Sequence, residues 1–290
     1  MLSIVIVNWN TRDHLANCLS AIEHNHGMVR EALQVIVVDN NSSDGSVALV
    51  EERFSWTMLI ANQRNLGFAA ANNQGIERSR GEFVLLLNAD TRLHVGALER
   101  LLSFMATHPE AAAVGPRLLN TDGSLQVSCQ PMLTPFREFW RLLFLDRVVP
   151  FASYRMNEWS SDEARQVDVL LGACLLLRRS VLDEVGLLDE SYFMYTEEVD
   201  LFYRLSKSGY RSWYLPTATV THHGGASSRQ IPEKMYLELY RSKVRFYRKT
   251  GGERRARLFK TLVALAYVPR VLLNPTHSRY RRLLAHIPSL

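Results

Sequence analysis

The sequence predicts an α/β fold, with a mostly parallel central sheet, helices on both of its faces and a basic helical extension after it. Two observations predict the sheet. Apolar runs of strand length recur at 2–7 (LSIVIV), 33–38 (LQVIVV) and 83–87 (FVLLL), as strands buried on both faces require. Each is followed by a stretch with apolar residues at helical spacing, and repeated β-α-β with short connections implies parallel pairing. The third observation is charge. Residues 241–290 carry 13 Lys+Arg and one acid, Glu253, whereas the first 240 carry 21 basic and 28 acidic residues. The net charge of +5 therefore hides an acidic body and a basic tail.

The elements follow in order. After the first strand, Leu15, Cys18, Leu19 and Ile22 mark a helix. The second strand, 33–39, ends in the turn formers NNSSDGS (40–46), where Asp44 or Ser43 is suited to cap a helix carrying Val47 and Val50. A short strand at 57–61 and a helix over 69–76 precede the fourth strand, FVLLLN at 83–88. A helix with Leu98, Leu101, Leu102 and Met105 comes next. The stretch 116–166 is irregular and loop-rich, VDVLLGACLLLRR (167–179) reads as one strand, 197–207 as a helix, and TATVT as the end of another strand. Beyond Pro232 the chain is helical and basic, with Pro269 expected to end a helix. A catalytic body over 1–230 is expected, split near 115 into a nucleotide half and an acceptor half, with an extension over 231–290.

At 290 residues, 47% apolar and with five Trp, the chain supports a packed core and excludes disorder. Three widely spaced cysteines, Cys18, Cys129 and Cys174, form no CxxC pair, so neither a zinc site nor a disulfide framework is suggested, and a reducing compartment is expected. LSIVIV follows no basic segment and runs into Asn8-Trp9-Asn10, which suits a buried strand better than a leader. The longest uncharged apolar runs, near 169–177 and 261–269, fall short of the ~20 residues of a spanning helix. A cytoplasmic protein, soluble or peripheral on the inner face of the cytoplasmic membrane, is expected.

Four groups carry chemistry. Asp39 closes the second strand, where open α/β sheets present ligand contacts; it suits hydrogen bonds to a nucleoside, or an Asx turn with Asn40 and Asn41. GxGxxG and Walker A loops are absent. Asn88-Ala89-Asp90 follows the fourth strand, and a carboxylate beside an amide carbonyl suits a hard divalent cation such as Mg²⁺ or Mn²⁺, the alternative being a helix cap. Glu197-Glu198-Val199-Asp200 follows Tyr192-Phe193-Met194-Tyr195; helical spacing puts Glu197 and Asp200 on one face with Glu198 about 100° away. The cluster is either a solvated acidic first turn or, given its aromatic flank, a partly buried one with raised carboxylate pKa. His222-His223-Gly224-Gly225 offers imidazole ligands beside glycines that admit a phosphate.

The order of these groups resembles glycosyltransferase family 2, over roughly 1–228. SIVIVNWN is similar to the family's opening strand, VIVVDNNSSDGS to its nucleoside-binding segment, NLGFAAANNQGI to the phosphate-side loop and helix, and LLLNADT to its DxD metal motif with Asn88 replacing the first Asp. FMYTEEVDLFYR is similar to its Glu-Asp-Val-Asp-Leu element, and DGSLQVS with HHGGASS resembles the rhamnosyltransferase-like subgroup. The resemblance implies the GT-A fold and an inverting transfer from a nucleotide-sugar donor, dTDP-rhamnose by analogy, to a hydroxyl of a glycan or lipid-linked acceptor in cell-envelope polysaccharide synthesis. It implies that Asn8, Asp39, Asn41, Asn65, Gly67, Asn72, Asn88 and Asp90 contact the donor, that Asp90 and His222 hold a divalent cation (Mg²⁺ or Mn²⁺), and that Gly172, Ala173 and Glu197 face the acceptor. The catalytic base falls on Glu198, where the family has Asp, with Asp200 in reserve.

Rival readings are a nucleotidyltransferase acting on sugar phosphates, nucleotide hydrolysis without transfer, and a non-enzymatic basic membrane- or nucleic-acid-binding protein. The first usually shows a Gly-rich basic loop after the first strand, where this chain has NWNTRDHL. The last leaves the carboxylate and His constellation unexplained, and no nucleic-acid-reading module is present. Over 253–287, Leu258, Phe259, Leu262, Leu265 and Ala266 gather on one helical face opposite Arg257 and Lys260. That face is expected either to lie on an anionic membrane surface or to pack on the catalytic body.

Overall fold

The computed structural model describes residues 1–24 and 33–290. The elements are β1 (Leu2–Asn8), α1 (Arg12–His24), β2 (Leu33–Asp39), α2 (Ser46–Arg53), β3 (Met58–Ala61), α3 (Phe68–Arg78), β4 (Phe83–Asn88), β5 (Thr91–Leu93), α4 (Ala97–Thr107), β6 (Ala111–Leu119), β7 (Cys129–Gln130), α5 (Pro135–Leu142), β8 (Arg165–Val167), β9 (Val169–Leu170), β10 (Cys174–Arg178), α6 (Arg179–Val185), α7 (Glu197–Lys207), β11 (Arg211–His222), α8 (Pro232–Leu273) and α9 (Ser278–His286). The large sheet runs β3-β2-β1-β4-β10-β6-β11-β5, with β8 beside β11. Six of its nine strands point one way; β10, β5 and β8 run against them. The sheet is mostly parallel with helices on both sides, as the apolar runs predict.

Burial on both faces explains those runs. Val5, Ile36, Val38, Val84 and Leu86 face one core with α3 and α7; Ile4, Ile6, Val35, Val37, Leu85 and Leu87 face the other with α1 and α4. Alternate residues serve opposite faces, so both must be apolar. Gly75 lets α3 lie flat on β1, since a Cβ there would stand 2.3 Å from Val5 Cγ1. All three cysteines are free and buried, and burial pushes their thiols well above the ordinary range.

Three expectations need correction, and one strand, β6, is not anticipated. The single strand over 167–179 is broken into β9 and β10 by Leu171-Gly172-Ala173, which turn into the cleft; β10 then runs antiparallel between β4 and β6. Strand β6 carries an Ala-rich run and Pro116, both poor strand signals, yet burial between β10 and β11 makes it a central strand. Helix α2 is capped by Gly45 at φ 83°; the Asp44 carboxylate accepts from Ser46 N (3.1 Å) and Arg12 N (2.8 Å), joining the starts of α2 and α1. Pro269 does not end its helix, which continues to Leu273; the break falls at Gly251-Gly252, with Gly252 at φ 69°.

That break folds α8 into a hairpin. Tyr267 Oη lies 2.6 Å from Tyr236 Oη and 2.7 Å from Tyr240 Oη, and Tyr247 packs on Phe259. Phe259, Leu262 and Ala266 are buried in this packing while Leu258 and Leu265 are exposed. The predicted apolar face is thus divided, its larger part packing on the protein. No helix of the described residues is long and apolar enough to cross a membrane.

Candidate active site

A cleft of about 210 Å³ opens beyond the carboxyl ends of β1 and β4, lined by Trp9, Asn65, Gly67 and Phe68 together with Glu197 and Glu198. Asn88, Ala89, Asp90, Gly172 and Ala173 form its floor, and Ile231 and Met235 from the start of the extension close it. The boundary at 230 therefore does not separate the extension from the site.

The nucleotide side is a hydrogen-bonded scaffold. Asn8 Nδ2 donates to Asp39 Oδ2 (2.9 Å), and Ser42 N donates to Asp39 Oδ1 (2.8 Å). Asp39 thus braces the turn after the strand through Ser42, three residues on, in place of the expected Asx turn with Asn40 and Asn41, and it is buried beside the cleft and not lining it. Asn8 also accepts from Thr11 Oγ1 (2.6 Å) and is fully buried, so it positions the turn. Asn41, at φ 68°, lies outside the cleft. Asn40, a neighbour that its motif does not single out, lines the cleft and donates to Asn65 Oδ1 (3.0 Å) and to Gly67 O (3.1 Å). Gly67 sits at φ 90°, and a Cβ there would stand 2.5 Å from Phe193 O, so only glycine admits this close approach. Asn72 is buried within α3, donating to Phe68 O (2.9 Å).

Asp90 and His222 meet across the sheet end. Strand β5 pairs with the end of β11, bringing His222 Nε2 to 3.2 Å from Asp90 Oδ1 and 3.3 Å from the Asn88 amide. Gln126 Oε1 lies 2.7 Å from His222 Nδ1, and Gln126 Nε2 donates to His222 O (3.2 Å). A proton on Nδ1 serves Gln126 and leaves the Nε2 lone pair facing the Asp90 carboxylate. Two acceptors then face each other, and Asn88 Oδ1 is buried without a partner. That orphaned oxygen, the carboxylate and the imidazole are the donor set a divalent cation takes; the residues fit the implied metal. Burial pushes the Asp90 carboxyl up; when Nε2 carries the proton instead, His222 donates to Asp90 and, with the Ala226 amide (3.3 Å) and His14, outweighs that push and holds the Asp90 pKa below the ordinary value. His223 instead turns its ring onto His14, with centroids 4.7 Å apart.

The carboxylate side is set by backbone strain. Tyr195 and Thr196 both lie in the left-handed region, at φ 68° and 71°, a conformation costly for non-glycine residues. This turn starts α7 so that Glu197 and Glu198 together line the cleft, in place of the Glu197–Asp200 pairing expected from helical spacing. Burial and mutual repulsion raise the Glu197 pKa well above its ordinary value; burial raises that of Glu198 too, opposed by backbone N–H groups and by Lys243. Lys243, on α8, ion-pairs with the buried Glu138, which Arg141 also holds. Burial, then Arg141, drops the Lys243 pKa to about 7. Asp200 lies outside the cleft, paired with Arg204 (2.9 Å) and Lys249 (2.9 Å). Trp9, Phe68, Gln126, Met235 and Lys243 are not singled out by sequence pattern: the first three lie inside the motifs SIVIVNWN, NLGFAAANNQGI and DGSLQVS, and the last two sit on a helix legible only as basic and apolar.

The comparisons bear on the family and the fold. The family described as Glycosyl transferase family 2 matches residues 3–186. An N-acetylglucosaminyl-diphospho-decaprenol L-rhamnosyltransferase of Mycobacterium tuberculosis is 32% identical over 246 residues, covering 80% of this chain and 79% of the relative. The low-salt glycan biosynthesis hexosyltransferase Agl10 of Haloferax volcanii is 29% identical, covering 70% of this chain and 61% of its own. Among solved structures, the mannosyltransferase PcManGT of Pyrobaculum calidifontis in complex with GDP-Man and Mn²⁺ superposes with a TM-score of 0.59 at 16% identity, covering 99% of this chain and 85% of that one. GalNAc-T7 with UDP, GalNAc and Mn²⁺ gives 0.57 at 16% identity, covering 77% and 43%. These two establish the fold as GT-A. The chain is a glycosyltransferase belonging to glycosyl transferase family 2, similar to an L-rhamnosyltransferase of Mycobacterium tuberculosis.

Proposed function

We propose that this glycosyltransferase is a divalent-cation-dependent, inverting rhamnosyltransferase that moves L-rhamnose from dTDP-rhamnose to a hydroxyl of a saccharide on a polyprenyl diphosphate, for cell-envelope polysaccharide synthesis. The observation that carries the metal-dependent part is the meeting of Asp90 and the orphaned Asn88 Oδ1, whose residues line the cleft, with His222, which stands behind them outside the lining. The sugar and acceptor classes rest on the similarity to the mycobacterial N-acetylglucosaminyl-diphospho-decaprenol L-rhamnosyltransferase. The neighbours solved with Mn²⁺ favour Mn²⁺ or Mg²⁺ as the cation.

In this reading Asp90 and His222 hold the cation, with the Asn88 carbonyl completing the protein's share. When bound, it neutralises charge on the departing nucleoside diphosphate. The Asn40–Asn65–Gly67 scaffold, braced by Asp39 and Asn8, orients the donor. Asn41 and Asn72 serve this side through the turn and α3. Glu198, whose pKa burial raises, takes the proton from the acceptor hydroxyl in its ionised form as that oxygen attacks the anomeric carbon from the face opposite the leaving group. Glu197, Gly172 and Ala173 shape the acceptor side. Asp200 is reserved by its cations for the fold, which favours Glu198 as the base. The enzyme would act on the cytoplasmic side, at an anionic membrane surface where a lipid-linked acceptor is met.

The test is transfer from dTDP-rhamnose to a polyprenyl-diphosphate N-acetylglucosamine analogue with Mn²⁺ or Mg²⁺. Asp90→Ala is expected to abolish transfer with the melting temperature kept. Full activity of Asp90→Ala, or of the wild type in excess EDTA, contradicts the metal role. Transfer from another nucleotide sugar alone contradicts the donor.

A further inference from the structure

Eleven of the eighteen exposed large apolar side chains among the described residues fall within 136–151 and 265–273. The two segments form one surface. Arg270 donates to Leu142 O and lies 5.1 Å over the Phe144 ring, Arg147 lies 5.0 Å over the same ring, and Arg137 lies 5.4 Å over Phe151. Trp140 Nε1 donates to Val149 O (2.9 Å), pinning the loop that presents Val148, 76% exposed. On the helix side Leu265, Val268 and Leu272 repeat at helical spacing, ending at Leu273, which is 87% exposed. An apolar patch of this extent, outside the cleft, marks an interaction surface.

The charges around it select the occupant. Arg137, Arg147 and Arg270 stand among the apolar side chains, each guanidinium over a ring. Of the acids in these segments, Glu138 is buried against Lys243 and Arg141, and Asp146 accepts from Ala152 N (2.8 Å). A second copy of this chain would set these arginines against one another. A lipid surface with anionic headgroups receives the apolar side chains below and the arginines at headgroup level. The hairpin of α8 fixes the position. Since Tyr267 meets Tyr236 and Tyr240, the helix running on to Leu273 comes level with Ile231 and Met235, which line the cleft. We propose that the 143–151 loop and the 265–273 helix end form a docking surface for an anionic lipid bilayer, holding the cleft mouth at the headgroup layer. This rests on the reading of a lipid-linked acceptor and relocates the contact from the amphipathic face of 253–287 to its exposed end and a loop of the catalytic body.

The experiment is co-sedimentation of the full chain with phosphatidylcholine vesicles and with vesicles containing phosphatidylglycerol. Val148→Glu/Val149→Glu, Leu272→Glu/Leu273→Glu and Arg147→Gln are compared with the control Val95→Glu, a comparably exposed valine between β5 and α4. The wild type and Val95→Glu are expected on anionic vesicles only, with binding weakened by salt. Each double variant should lose it at least tenfold with melting temperature unchanged, and Arg147→Gln should lose less. Wild-type binding by the double variants, or equal binding to neutral vesicles, overturns the proposal. So does a dimer in sedimentation velocity that the variants dissolve, with no vesicle binding. Transfer to a water-soluble acceptor, kept in the variants, keeps the catalytic reading separate: its absence in the wild type and every variant sinks that reading while vesicle binding still decides the surface.

Discussion

Helix α7 begins with two kinds of buried carboxylate within four residues. Asp200 is 0% exposed, with Arg204 at 2.9 Å and Lys249 at 2.9 and 3.0 Å from its two oxygens. Arg204 also donates to the carbonyls of Val185, Gly186 and Leu187, so the pair fastens α7 to the turn after α6. Glu197 and Glu198 line the cleft, and one buried oxygen of each lacks a hydrogen-bond partner; Asp200 Oδ1 makes no hydrogen bond either, but the Lys249 ammonium stands 2.9 Å from it, and neither glutamate has such an ion pair among the described residues. Burial alone thus does not mark a chemical group. A carboxylate neutralised by fixed cations is spent on structure, whereas one buried without them has a raised pKa and retains the basicity a proton acceptor needs.

The largest expected effect breaks the structural half of the comparison. Asp200→Ala strands Arg204 and Lys249 around a void and should cost ~3–5 kcal/mol, as breaking buried pairs does, measured by urea unfolding. Glu197→Gln should leave stability equal or higher, because it removes a carboxylate that burial disfavours. Equal losses in the two variants would erase the distinction.

Legibility followed the same division. Strands β1, β2 and β4 were readable because burial on both faces writes itself as unbroken apolar runs, and the Asn88-Ala89-Asp90 corner was readable because it lies directly beyond such a run. The roles of Glu198 and Asp200 were not separable in sequence. Their partners, Lys243 and Lys249, come from α8, 45 and 49 residues further on, and the left-handed Tyr195-Thr196 turn that aims the helix has no glycine to announce it. The break of α8 at Gly251-Gly252 was likewise masked by the expectation that Pro269 would end the helix.

A smaller effect sharpens the metal corner. Gln126 does not line the cleft but fixes the His222 ring through Nδ1. Gln126→Leu is expected to weaken Mn²⁺ binding ~10–100-fold, read by titration of the Mn²⁺ resonance signal in the absence of donor. Unchanged affinity would mean that Asp90 alone orients the site.

The smallest expected effect concerns Lys243, which ion-pairs with Glu138 and acts on Glu198 through its charge without pairing with it. Lys243→Met removes an attraction that lowers the Glu198 pKa. The acid limb of kcat/KM should therefore move to higher pH, with KM for the donor unchanged. A limb that stays in place would show that Lys243 serves Glu138 only.

The most direct measurement is the pH dependence of kcat/KM for the wild type, Glu198→Gln, Glu197→Gln and Asp200→Asn. A base must be ionised, so activity falls as pH falls through its pKa. Since burial raises that pKa, the wild-type limb should lie above the ordinary glutamate value of ~4.3. Glu198→Gln is expected to lose ~10²-fold or more in turnover and to lose the limb, with donor binding kept, while Asp200→Asn loses stability and keeps the limb. Near-normal turnover and an intact limb in Glu198→Gln, with both lost in Glu197→Gln or Asp200→Asn, would contradict the assignment.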